Sequence, residues 1–170
     1  MNTNHAVANE IMATLDAKGF LSYKVGGCVR DEYMYQGHIS TSDIDLEVFG
    51  CSYAELLQVL RTCAGVVSCD TVGKAFGVIK VVTEFGDIDV SVARKDNRVG
   101  VGHKGFDCTF DPEITAEEAA SRRDFTMNSM FKDMHGNVVD PFGGRDDIDS
   151  GFLVATSDAF KEDELRVLRG

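Results

Sequence analysis

Two adjacent glycines, Gly26-Gly27, constrain this chain more than any other feature. They follow residues 20–25, which read as a short strand, and precede a helix expected from about Cys28 to Gly37. A strand that passes into a helix through a glycine pair leaves bare backbone N–H groups at the helix start, where anions are favoured. Arg30, just inside that helix, can add a bidentate phosphate contact. Caps and hairpins also use glycine pairs, so the turn alone is weak. Its sequel is stronger: residues 43–49 alternate polar and apolar as a strand does, and they begin Asp43-Ile44-Asp45.

Asp-Ile-Asp occurs three times, at 43–45, 87–89 and 147–149. On a strand, residues two apart point to one face and two carboxylates can share a cation. On a helix they diverge by about 200° and cannot. The first two copies fall on expected strands. The third falls in a polar helix or turn and reads as solvated surface. Asp43 and Asp45, with Asp89 from a neighbouring strand, offer hard oxygen ligands that suit Mg²⁺, which takes its other ligands from water and substrate phosphates. A glycine phosphate cradle followed by a strand-borne pair of aspartates describes a site for a metal-bound nucleoside triphosphate.

The remaining chain supplies a scaffold. Val7, Ile11, Met12 and Leu15 recur at helical spacing, with Gly19 as a stop. Ser52 with Glu55, and Thr115 with Glu118, have capping-box spacing; the second helix is expected to run through Asn128. Residues 78–83 and 87–93 read as a hairpin, and Val138-Val139 as a short strand. A last helix is expected from about Glu162 into Arg169, and its abrupt end at Gly170 reads as the front part of a longer chain. Helices and strands with an antiparallel pair imply an α+β fold.

Charge narrows the partners. With 17 Lys+Arg against 28 Asp+Glu the net charge is −11, so the field of the chain as a whole does not attract a phosphate backbone. Beyond residue 30, only residues 71–110 are not acidic, with five acids and six bases. Five cysteines without a C-x-x-C pair point to a reduced, cytoplasmic chain, and no apolar run approaches the roughly 18 residues of a membrane span. No basic head with an apolar block opens the chain, so no secretory leader is expected. The four histidines are isolated, and Cys28 has no histidine partner that would make it a nucleophile.

Four motifs in order now carry a resemblance. Gly26-Gly27-Cys28-Val29-Arg30-Asp31 with Asp43-Ile44-Asp45 resembles the first motif of class II tRNA nucleotidyltransferases (CCA-adding enzymes) and bacterial poly(A) polymerases. Arg122-Arg123-Asp124-Phe125-Thr126-Met127-Asn128 is similar to their R-R-D-[LF]-T-[IV]-N motif. Asp140-Pro141-Phe142-Gly143-Gly144 resembles the segment that follows, and Glu162-Asp163-Glu164-Leu165-Arg166 the E-D-x-x-R motif.

The resemblance implies a DNA polymerase β-like nucleotidyltransferase fold with a mixed or antiparallel sheet of about five strands flanked by helices. Residues 1–155 would form the catalytic head and 156–170 the start of a truncated helical neck. Asp43 and Asp45 would hold two Mg²⁺, with Asp89 in a supporting catalytic role. Gly27 and Arg30 would bind the triphosphate and Arg123 the nucleotide, while Arg122 has no assigned role. Asp163 and Arg166 would read the incoming base, with Arg169 alongside; their three-residue spacing puts them on one helix face. The implied activity is template-independent transfer of CMP and AMP from CTP and ATP to tRNA 3′ ends, the RNA being held mainly by regions absent here. Poly(A) synthesis from ATP and a non-catalytic nucleotide-binding head are the alternatives. The chain departs from the family at Glu32-Tyr33-Met34-Tyr35, where leucines are usual, at Glu164, where proline is common, and after Arg169, where a further arginine is expected.

Overall fold

The structure, a computed structural model, describes residues 3–37, 43–98, 106–111 and 113–162. Helix α1 (Asn4–Ala17) buries Val7, Ala8, Ile11, Met12 and Leu15 on one stripe, as their spacing requires. Strand β1 (Leu21–Val25) runs through Gly26 into α2 (Gly27–Met34). Gly26 has φ +71°, a left-handed conformation that costs glycine nothing. Strand β2 (Ile44–Phe49) leads to α3 (Tyr53–Leu60), which is opened by the expected capping box of Ser52 and Glu55. Strands β3 (Val66–Asp70), β4 (Val78–Thr83) and β5 (Gly86–Val92) follow. A separate ribbon pairs β6 (Arg94–Arg98) with β7 (Phe106–Phe110). Helix α4 (Ala116–Ser121), the two-residue strands β8 (Phe131–Lys132) and β9 (Val138–Val139), and helix α5 (Gly144–Ser150) complete the main elements.

The main sheet has seven strands in the order β3-β4-β5-β2-β1-β8-β9, where about five were expected. Helices flank this mixed sheet, so the α+β class holds. The surplus lies at the edges. Residues 66–70 carry no clear alternation because this edge strand is mostly exposed on both faces, and β8 is too short to show a period. Among the described residues one pair alone, β2 with β5, is parallel, and every other pairing in the sheet is antiparallel.

The two faces of the sheet differ. Ile44, Leu46, Val48, Ile79, Val81, Ile88 and Val90 point to one face and pack with α1 and α3 in a mainly aliphatic core that also takes in Met12, Cys51 and Cys63. On the other face Tyr23, Val25, Phe49 and Phe131 form a smaller aromatic cluster beneath α4, with ring centroids 5.6–6.1 Å apart. The polar members of β2 and β5 share this second face.

Helix α4 is shorter than its periodicity suggests. It stops at Ser121 because Asp124 and Phe125 leave the helix: Asp124 Oδ1 accepts from Phe125 N at 2.7 Å, and Phe125 pairs with Ala155 as an isolated bridge. Asn128 closes a short 3-10 turn, Thr126–Asn128, instead of a helical run. The third Asp-Ile-Asp is helical, on α5, but it is not simply solvated. Asp147 accepts from Thr126 Oγ1 at 2.6 Å, Asp149 accepts from Tyr33 Oη at 2.8 Å, and Ile148 packs on a small core with Cys28, Val29 and Met130. Among the described residues no helix is long and apolar enough to cross a membrane.

Candidate active site

The parallel pair decides the geometry. Register places Asp45 of β2 opposite Asp89 of β5, and residues opposite one another on paired strands project to the same face. Asp45 and Asp89 therefore open onto the second face, and Asp43, just ahead of β2, lies near enough for its charge to act on Asp45. Val25 pairs with Asp45 on the other side, which brings the Gly26 turn to the same end of the sheet. A Cβ built at Gly26 would lie 3.5 Å from Asp45 Oδ2 and 3.4 Å from Arg123 Nη1. Glycine turn, carboxylates and arginine therefore meet at one point.

Arg123 reaches this point from the segment after α4. Its guanidinium lies 5.7 Å from the centroid of the Phe131 ring, within cation–π range. Its Nη2 donates to Glu47 Oε2 at 2.7 Å, and Arg122 Nη2 donates to Glu47 Oε1 at 3.1 Å. Glu47 is wholly buried. Burial by itself would raise its carboxyl, but the two guanidiniums hold it below the usual carboxylate range. The sequence reading missed Glu47, though a signal existed: on a strand that starts Asp43-Ile44-Asp45-Leu46-Glu47, the third acid must share the face of the first two. Glu47 also gives Arg122, left without a role above, a place in the site.

The electrostatics suit a cation. Asp45 opens to solvent, yet partial burial, then the charges of Asp89, Asp43 and Glu47, push its carboxyl above the usual range; Arg123 opposes them. Asp89 Oδ1 is buried and has no hydrogen-bond partner among the described residues. A carboxylate oxygen left so, beside a second carboxylate under mutual repulsion, fits a bound divalent ion. Among the described residues no three His, Cys, Asp or Glu side chains are already gathered as a metal cage. Mg²⁺ does not need one, since one or two carboxylates with substrate phosphates suffice.

Arg30 is placed more rigidly than its expected role suggested. Its Nη2 and Nε contact Asp31 Oδ1 at 2.7 and 2.8 Å, and Nη1 donates to Asn128 Oδ1 at 2.9 Å. Asn128 in turn donates to Asp124 Oδ1 at 3.0 Å. The first motif and the Arg122–Asn128 motif are thus one hydrogen-bonded unit, with Arg30 packed beside Gly27. Asp140 completes it: both its oxygens accept from the first backbone N–H groups of α5, at 2.7 and 3.0 Å, and dock Gly144 onto the carbonyl of Thr126. Cys28 donates its Sγ to Val25 O at 3.2 Å, and burial raises its thiol, so it stays an inert thiol. Asp163, Arg166 and Arg169 lie outside the described residues.

Mixed sheet, register-matched aspartates, glycine turn and facing arginine define the class: this is a nucleotidyltransferase-type head. The chain belongs to the family described as Poly A polymerase head domain, which matches residues 22–154. It is 40% identical over 147 residues to the "Multifunctional CCA protein" of Vibrio parahaemolyticus, an alignment covering 86% of this chain and 33% of that one. A Nitrosospira multiformis protein of the same name is 37% identical over 148 residues, covering 87% and 33%. The chain thus spans about a third of the length of these relatives. Among solved structures, the Bacillus stearothermophilus CCA-adding enzyme in complex with CTP superposes with a TM-score of 0.77 at 27% identity, over 99% of this chain and 38% of that one. A tRNA nucleotidyltransferase complexed with a primer tRNA and an incoming ATP analog gives 0.70 at 26% identity, over 94% and 42%.

Proposed function

We propose that this chain is the catalytic head of a cytoplasmic, template-independent RNA nucleotidyltransferase that transfers CMP and AMP from CTP and ATP to tRNA 3′ ends. The observation that carries the proposal is the register of Asp45 against Asp89 beside the Gly26 turn and Arg123. The CTP and primer-tRNA complexes of similar structures support the choice of substrates.

In this reaction a 3′-hydroxyl oxygen bonds to the α-phosphorus, the bond to the β-phosphate oxygen breaks, and pyrophosphate leaves while the hydroxyl proton passes to solvent. Two Mg²⁺ ions, when bound, stabilise the charge on the attacking and leaving oxygens. Asp43 and Asp45 are the residues that would hold them, with Asp89 in support. The backbone at Gly26-Gly27 lets the triphosphate approach without a Cβ in the way, with Gly27 and Arg30 as its binders. Arg123 presents positive charge to the nucleotide from the opposite wall. Asp163 and Arg166, with Arg169, read the base edge, since the pair offers both acceptors and donors. Residues 1–155 form the head and 156–170 begin the neck. A second reading, poly(A) synthesis from ATP, is favoured by the description of the matching family.

The test is calorimetric binding of each nucleotide with Mg²⁺, beside an Asp163→Ala, Arg166→Ala variant. CTP and ATP should bind and UTP and GTP should not, with selectivity lost in the variant. Binding of ATP alone would favour poly(A) synthesis, and no binding of any nucleotide would sink both readings for this chain.

A further inference from the structure

Glu47 stands two residues beyond Asp45 on the same strand face, with no exposed surface. A buried charge is costly unless paired, and here one carboxylate is shared by two guanidiniums, one oxygen each. The sharing has a geometric consequence. Arg122 and Arg123 are consecutive residues at a helix end, yet both turn toward the same atom group. With Nη2 tied to Glu47 and the Phe131 ring beside it, Arg123 has its Nη1 set against the Gly26 turn. Asp45 faces the same turn: a Cβ at Gly26 would lie 3.5 Å from Asp45 Oδ2 and 3.4 Å from Arg123 Nη1.

We infer that Glu47 is a positioning residue: it fixes Arg123 with Nη1 toward the glycine turn and keeps that guanidinium from closing onto Asp45. The inference rests on reading the turn as the triphosphate site. With the charge at position 47 removed, Arg123 turns to Asp45, so both the phosphate contact and a metal ligand are compromised together.

Glu47→Gln keeps the shape and removes the charge, while Glu47→Asp keeps the charge. Both are made in the 170-residue chain. ATP affinity is measured by calorimetry in EDTA, and Mn²⁺ affinity without nucleotide by water-proton relaxation. Glu47→Gln should weaken each by about tenfold, the scale of one charge-assisted contact, with Glu47→Asp recovering most of both. A merely structural role would lower the melting temperature and leave the affinities of the folded protein alone. A loss under about threefold in both titrations by folded Glu47→Gln overturns the inference. Should that variant not fold, the wild type decides: nitrogen-15 spectra, assigned with Arg123→Lys, should show slowed rotation of the Arg123 guanidinium. Free rotation there overturns the inference. Wild-type protein that binds neither ATP nor Mn²⁺ sinks the functional reading instead, and the arginine spectrum still decides whether Glu47 holds Arg123.

Discussion

Leu46 and Asp45 are neighbours in sequence and belong to different environments. Leu46 points into the aliphatic face packed by α1 and α3 and has no exposed surface. Asp45 points to the other face, among carboxylates and arginines. The first face is filled mainly by side chains that offer packing, with one buried polar contact where Thr83 Oγ1 donates to Asn4 Oδ1 at 3.2 Å. The second is paired at Glu47, and left with charge repulsion at Asp45 and, among the described residues, a buried oxygen at Asp89 without a hydrogen-bond partner. One layer of strands thus separates stability from chemistry, and the alternation of a single strand does the separating.

The sharpest way to break this contrast is to change the two neighbours in turn. Asp45→Asn should lower nucleotide transfer by roughly a thousandfold, about 4 kcal/mol of transition-state stabilisation, with the melting transition intact. Chemical denaturation and a primer-extension assay on the same sample check both halves. A variant that unfolds, or one that retains transfer, contradicts the division. Leu46→Ala should do the reverse: a stability loss of about 2–5 kcal/mol by denaturant titration, with nucleotide affinity of the folded fraction unchanged.

Gly144 tests whether the face that carries the chemistry depends on more distant docking. A Cβ there would overlap the Thr126 carbonyl, whose segment also carries Asn128, the partner of Arg30. Gly144→Ala should cost about 1–3 kcal/mol through overpacking, and it should weaken nucleotide binding as well. Loss of stability with unaltered binding would show that the Asp140–Gly144 segment only braces the fold.

Much of this was legible because strand alternation and glycine turns act locally. The Gly26 turn, β2, the hairpin of β4 and β5 and both capping boxes follow from nearest-neighbour rules. The resemblance of four ordered motifs named the family. Strand β3 escaped because an exposed edge strand needs no alternation. Helix α4 was read too long because Asp124 takes up the Phe125 N–H and turns the chain out, a choice that is settled by pairing with Ala155, thirty residues on. Glu47 escaped for a different reason. Its two partners are 75 and 76 residues away, so only the tertiary structure shows that it is an anchor for arginines and not a third metal ligand.

The smallest effect expected lies wholly on the aliphatic side. Ser52 accepts from Glu55 N at 3.2 Å and Glu55 accepts from Ser52 N at 2.8 Å, closing the cap of α3. These backbone and side-chain hydrogen bonds hold the Glu55 carboxyl below its ordinary range. Ser52→Ala should cost about 1 kcal/mol at neutral pH. A depressed folded-state value means that the Glu55 contribution is complete above the unfolded carboxylate pKa, about 4.3, and is lost as pH falls through the lower folded value. The gap in melting temperature between wild type and Ser52→Ala should therefore hold from neutral pH down to the carboxylate range and narrow below it. Nucleotide affinity should be the same for both proteins at neutral pH, because α3 reaches the site only through the aliphatic face. A change in affinity would mean that the sheet transmits strain from one face to the other, and the separation drawn between Leu46 and Asp45 would have to be given up.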